Sequence, residues 1–133
     1  RDDWNLRVVN TRHTVQNLGL RLEAGSPTKV FCYSGDGMFT PTASKLYTNA
    51  DLLVHEAYTS DGTVKNPRGE TVTIGTKTHC SLQQLERLDD MARPKKMALI
   101  HLNRKLREEK KDILKKYRQR RWIMPDAGEV IEL

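Results

Sequence analysis

The chain holds four histidines, His13, His55, His79 and His101, and their placement is its most informative feature. Imidazole gives and takes protons near neutral pH, and in its neutral form it is the commonest metal ligand. His55 and His101 close two short apolar runs, Asp51-Leu-Leu-Val-His55 and Lys96-Met-Ala-Leu-Ile-His101. His13 follows a strand-like stretch, and His79 stands just before a helix. Asp36 has the same kind of position, in the turn Ser34-Gly-Asp-Gly37 after a third apolar run. Strand ends and helix starts are where α/β folds assemble their sites. Taken singly, each residue has a plainer reading. A strand-end histidine is structural or merely exposed, and an aspartate beside glycines is a turn residue. No HxH, HExxH or CxxC spacing is present to demand a metal from local sequence.

These positions need a sheet to hold them, and the pattern supplies one. Residues 5–12 are rich in β-formers, and Asn17–Glu23 alternates cleanly, with Leu18, Leu20 and Leu22 on one face. Ala24-Gly-Ser-Pro27 signals a turn, and Lys29–Ser34 reads as a third strand. Thr40-Pro41 opens a short helix through Leu46. Asp51–His55 is a short buried strand. Residues 59–78 read as a polar loop, long enough to suggest a functional segment. Ser81-Leu-Gln-Gln84 is a capping box opening a helix that Pro94 stops. Lys96–His101 is another strand, a basic helix covers roughly 104–119, and two strand-like runs flank Asp126-Ala-Gly128 in the tail. The order βββ-α-β-α-β-α-ββ is an α/β pattern.

Composition narrows the classes further. The 133 residues make one domain or part of one, 37% hydrophobic and 30% charged, which suits a globular fold and not a disordered chain. No run approaches ~18 apolar residues, so no membrane-spanning helix is expected. Cys32 and Cys80 do not form a disulfide framework, and a reducing compartment, the cytoplasm, is the expected location. The chain starts at Arg1, which reads as a processed protein or a piece of a longer one. The net charge of +6 is concentrated. Residues 104–121 hold ten Lys/Arg against three Asp/Glu, a net of +7 that leaves the remainder at −1.

Four stretches, in order, resemble the metallo-β-lactamase superfamily, in particular its ribonuclease Z-like and phosphodiesterase branches. Thr11–Leu22 is similar to the family's third-motif histidine and the strand after it. Val30–Gly37 is similar to the strand and Ser-Gly-Asp of the fourth motif. Asp51-Leu-Leu-Val-His-Glu-Ala-Tyr58 resembles the ribonuclease Z His-Glu-Ala-Thr segment, with Tyr58 in place of the usual Thr. Ala98-Leu-Ile-His101 resembles the fifth-motif strand with its closing histidine, and a further stretch between the last two, Thr78-His-Cys-Ser81, resembles the His-Ser-Thr loop. The resemblance spans about residues 5–133. The family's amino-terminal His-x-His-x-Asp-His motif is absent. The resemblance therefore implies the carboxy-terminal half of an αββα sandwich, with the amino-terminal half supplied by another chain or segment, or else lost.

The resemblance also implies roles. His13 would bind a first metal, His101 a second, and the Asp36 carboxylate would bridge them. Two divalent ions are implied, zinc by preference, with manganese or iron tolerated by the same donors. Such a pair clamps a phosphodiester and lowers the pKa of a water toward ~7. His79 is the implied proton donor to the leaving oxygen, with Glu56 orienting it. His55 is open between a structural hydrogen bond and a role in the site. Cys32 and Cys80 are expected to be small packing residues.

The basic helix has two readings. Arg104, Arg107, Lys111, Lys115 and Arg118 share one stripe at helical spacing, beside an apolar stripe of Leu106, Ile113 and Tyr117. The basic stripe either tracks nucleic-acid phosphates or is a solvated face. No aromatic residues interleave it, which speaks against a base-stacking surface. The expected function is thus part of a metal-dependent phosphodiesterase acting on RNA or a related ester. The alternatives are a non-catalytic half-domain that binds a partner chain or nucleic acid, and a hydrolase of another ester class on the same fold. An exposed sheet face, with oligomerisation or aggregation, is expected if half of a sandwich is missing.

Overall fold

Alternating β-formers in the first third build an antiparallel meander in the computed structural model, which describes residues 3–73 and 78–133. Its strands are β1 (Trp4–Thr11), β2 (Asn17–Ala24) and β3 (Lys29–Tyr33). The helix α1 (Pro41–Leu46) follows, with Thr40 as its N-cap accepting from the Ala43 amide. It returns the chain for β4 (Leu52–Glu56), which lies parallel to β3. A small hairpin, β5 (Thr63–Lys65) and β6 (Thr71–Thr73), precedes α2 (Leu82–Ala92). Then β7 (Met97–Ile100) adds parallel to β4. The helices α3 (Arg104–Glu108) and α4 (Lys110–Lys116) lead to β8 (Trp122–Ile123), parallel to β7. The main sheet runs β1-β2-β3-β4-β7-β8.

Pleating gives this sheet two unlike faces. Cys32, Leu53 and Met97 stand in register across β3, β4 and β7. They join Ala43, Leu85 and Leu88 of the helices in one buried core. On the opposite face Leu6 pairs with Leu22 and Leu22 with Phe31, while Val8 pairs with Leu20. That face is open where β1 and β2 form it: Trp4, Leu6, Val8 and Leu18 are exposed, and Leu20 and Leu22 are half-buried. One sheet with its helical core on one side is what the expected half-sandwich would present.

Three local expectations differ. The stretch read as loop carries the β5–β6 hairpin, because Thr63-Val-Lys65 and Thr71-Val-Thr73 are β-formers joined through a turn at Gly69. Residues 74–77 of that stretch lie outside the described residues. The basic helix is interrupted at Glu109 and ends in a 3₁₀ turn, Arg118–Arg120, yet Leu106, Ile113 and Tyr117 all remain buried. In the tail only the first run, β8, forms a strand among the described residues.

Candidate metal and catalytic site

The three central strands end at one level. In register, Tyr33 lies beside Val54, and Glu56 beside Ile100. The residues just past or at these carboxyl ends are Asp36, Glu56 and His101. Parallel pairing alone therefore brings together positions 20 and 45 residues apart. The turn after β3 needs its glycines. Gly35 has φ +67°, and a Cβ there would sit 2.7 Å from the Leu18 carbonyl oxygen. At Gly37 a Cβ would lie 2.9 Å from the Arg12 carbonyl oxygen.

Asn17, at the start of β2, clamps this turn. Its Oδ1 accepts from the Asp36 amide at 3.1 Å, and its Nδ2 donates to the Ser34 carbonyl at 3.3 Å and to Thr11 Oγ1. Ser34 Oγ accepts from the Glu56 amide at 3.1 Å and so ties the ends of β3 and β4 together. His79 arrives from the loop before α2. That loop is stitched to the segment after β4: Tyr58 N–H donates to the Cys80 carbonyl, and Leu82 N–H to the Thr59 carbonyl. Ser81 caps α2 through a complete capping box with Gln84.

Asp36, Glu56, His79 and His101 thereby each offer a ligand atom, all within 4.8 Å of one another. His101 Nδ1 lies 2.7 Å from Asp36 Oδ1 and 3.6 Å from Glu56 Oε2. His79 Nδ1 lies 3.2 Å from Glu56 Oε2 and 3.6 Å from Asp36 Oδ1. His101 holds this position with φ +55°, a left-handed conformation that a non-glycine residue adopts at a cost of about 1–3 kcal/mol. Glu56 is fully buried, while Asp36 and His101 are open to solvent. Burial pushes the Glu56 carboxyl up to about 7. The Cys80 amide, which donates to Glu56 Oε1, opposes that rise, and the Asp36 charge adds to it. A buried carboxylate with a second carboxylate beside it is stabilised by a cation, and two oxygens with two imidazole nitrogens suit a divalent one. The donor set therefore fits a metal ion.

His13 stands at the margin of this cluster. Its ring meets that of His79 edge-on, with centroids 5.2 Å apart, and its Nδ1 lies 3.4 Å from the Val15 amide. It is near the four but not among the tightly gathered atoms. Glu56 and His79, expected in catalytic roles, lie within the group itself. His55 points the other way, into the helical core, between Phe39 and Tyr47. Its Nδ1 lies 2.8 Å from the Glu56 carbonyl oxygen, and burial pushes its pKa down to about 4, so it is neutral and structural. Cys32 and Cys80 are buried free thiols.

Sequence reasoning did not identify Asn17, Ser34 or Tyr58 as site-building residues. Ser34 had a signal, since it closes the third strand immediately before the glycine turn. Asn17 had none, because its contacts are made across 17 and 19 residues of chain. The Tyr58 ring stacks on His79 at 4.8 Å and lies 5.4 Å from that of His101, walling one side of the cluster.

No protein-family model and no curated protein matches the chain. Solved structures do. The short form of human tRNase Z matches with a TM-score of 0.62 at 21% identity, covering 80% of this chain and 40% of that one. The metallo-β-lactamase fold protein YhfI from Bacillus subtilis matches with a TM-score of 0.60 at 19% identity, over 85% of this chain and 46% of that one. A long form RNase Z from yeast matches with a TM-score of 0.58 at 19% identity, over 74% of this chain and 13% of that one. The chain thus spans less than half the length of these proteins, and what it shares with them is part of the metallo-β-lactamase fold.

Proposed function

We propose that this chain forms the carboxy-terminal half of a metal-dependent hydrolase that cleaves phosphodiesters, with RNA or a related ester as substrate. The convergence of Asp36, Glu56, His79 and His101 at the ends of β3, β4 and β7 carries the reading. The same fold in human tRNase Z and a yeast RNase Z supports it. Of the gathered group, Asp36 and His101 would be the metal donors, with Asp36 as the shared carboxylate and His13 completing the set from the margin, and Glu56 and His79 would serve proton transfer. Two divalent ions, zinc or else manganese or iron, would supply Lewis acidity and an acidified water. His79 presents Nδ1 to Glu56, which fixes its ring and leaves Nε2 to hand a proton to the leaving oxygen. Glu56, in a dry environment, keeps His79 oriented.

A second ion would draw on donors beyond those gathered among the described residues. An amino-terminal half, as a separate segment or chain, would bring them and cover the exposed face of Trp4, Leu6, Val8 and Leu18. Without it, that face favours self-association into oligomers. No described helix is long and apolar enough to cross a membrane, and two buried free thiols suit the reducing cytoplasm. The test is metal content and turnover of a nitrophenyl phosphodiester, measured on the assembled protein and its Asp36→Ala variant. Loss of both metal and turnover supports the reading. Full metal content with full turnover in Asp36→Ala overturns it.

A further inference from the structure

We propose that the cleft between the β5–β6 hairpin and the start of α3 is a second phosphate subsite, one that takes the nucleotide flanking the reacting phosphodiester of a single-stranded polynucleotide. This rests on the phosphodiesterase reading above. The cleft measures about 640 Å³, and its lining includes Tyr58, Asp61, Lys65, Asn103, Arg104 and Lys105. That volume suits a nucleotide-sized ligand.

The position of Tyr58 ties the cleft to the cluster. Tyr58, whose ring stacks on His79, is also a lining residue of the cleft, so the two sites adjoin at one residue. Three cations reach the cleft from two directions, Lys65 from the hairpin and Arg104 and Lys105 from α3. Among the described residues Asp61 is the one carboxylate in the lining; its Oδ1 accepts from the Thr63 amide at 3.0 Å and the Thr63 hydroxyl at 2.8 Å, and its single negative charge set against three cations leaves the lining with an excess of positive charge. Lys65 Nζ donates to Thr71 Oγ1 at 2.7 Å, and Arg104 Nε pairs with Glu108 at 2.7 Å. An ammonium has three donors and a guanidinium five, so both keep N–H groups for an anion. Excess positive charge beside an aromatic wall is the arrangement that tracks a single strand, with cations on phosphates and a ring for a base. It lies where the chain of such a substrate must continue past the reacting phosphate.

The experiment measures anisotropy of a short fluorescein-labelled oligouridylate, titrated with the full chain in chelator across a salt series, so that no turnover is required. Lys65→Ala/Lys105→Ala should weaken binding roughly tenfold. It should also make the salt dependence shallower by about 1.4, since each phosphate contact on a single strand contributes about 0.7. A control pair outside both the cleft and the basic stripe, Lys29→Ala/Lys45→Ala at the start of β3 and on α1, removes the same charge from exposed positions and should change neither. Oligothymidylate should show the same losses, as expected for phosphate recognition. Three results overturn the subsite: a wild-type chain that does not bind, a cleft pair that binds like wild type, or a Lys29/Lys45 control pair that loses as much. A loss confined to oligouridylate overturns the phosphate assignment. If the binding contrast holds while the assembled protein cleaves no phosphodiester, the catalytic reading falls by itself.

Discussion

Replacing Glu56 with glutamine separates the cost of a buried carboxylate from its use. Burial carries the Glu56 carboxyl from an ordinary 4.5 to about 7. At 1.36 kcal/mol per tenfold, that is about 3 kcal/mol between the two protonation states. Glu56 binds its proton more tightly folded than unfolded. The stabilisation is complete below pH 4.5 and is lost as pH rises through about 7 in the metal-free chain. Fully buried His55 does the reverse. It is pushed from 6.5 down to about 4, so its contribution is complete above pH 6.5 and lost as pH falls toward 4. The two windows overlap with opposite slopes, and the wild-type profile between them should be nearly flat.

Glutamine cannot ionise, yet its carbonyl can still accept the Cys80 N–H. Glu56→Gln should therefore expose the His55 slope, with stability rising by up to about 3 kcal/mol from pH 4 to 6.5. Relative to wild type, the variant should gain about 3 kcal/mol by pH 8. Urea unfolding in chelator, repeated across this range, reads both differences. Added zinc should then stabilise wild type more than the variant, because the ion offsets a charge that only wild type carries. Parallel pH profiles for the two proteins would refute the argument.

His79→Ala should leave metal content intact in the assembled protein and slow turnover of a nitrophenyl phosphodiester by ~10²–10⁴, the usual worth of a proton donor. Metal analysis beside kinetics checks this, and loss of metal would make His79 a ligand instead. Gly35→Ala should destabilise the chain by at least about 1 kcal/mol in urea unfolding, because a residue at φ +67° would press its Cβ against the Leu18 carbonyl. Leu6→Lys/Val8→Lys places charge on the open sheet face. It should shift the isolated chain toward monomer in sedimentation, and an unchanged distribution would show that another surface drives association.

The sequence itself determined the order of the main-sheet strands and named residues whose chemistry could build a site. Alternation at Leu18, Leu20 and Leu22 placed a strand with one shared face, and Ser81 with Gln84 placed a helix start, because both signals act within a few residues. The hairpin at Thr63–Lys65 and Thr71–Thr73 escaped notice because three-residue strands carry too little alternation to stand out from a polar loop. His55 and Glu56 are adjacent in sequence, and nothing local says which serves the core and which the site. The pleat decides that: consecutive side chains on β4 point to opposite faces, so His55 enters the helical core and Glu56 joins the cluster. The clamp by Asn17, the wall formed by Tyr58 and the marginal place of His13 were likewise left to tertiary structure. Each depends on the register between strands and on a loop folded back upon them. Such long-range distances are set by packing of the whole sheet, and no spacing along the chain encodes them.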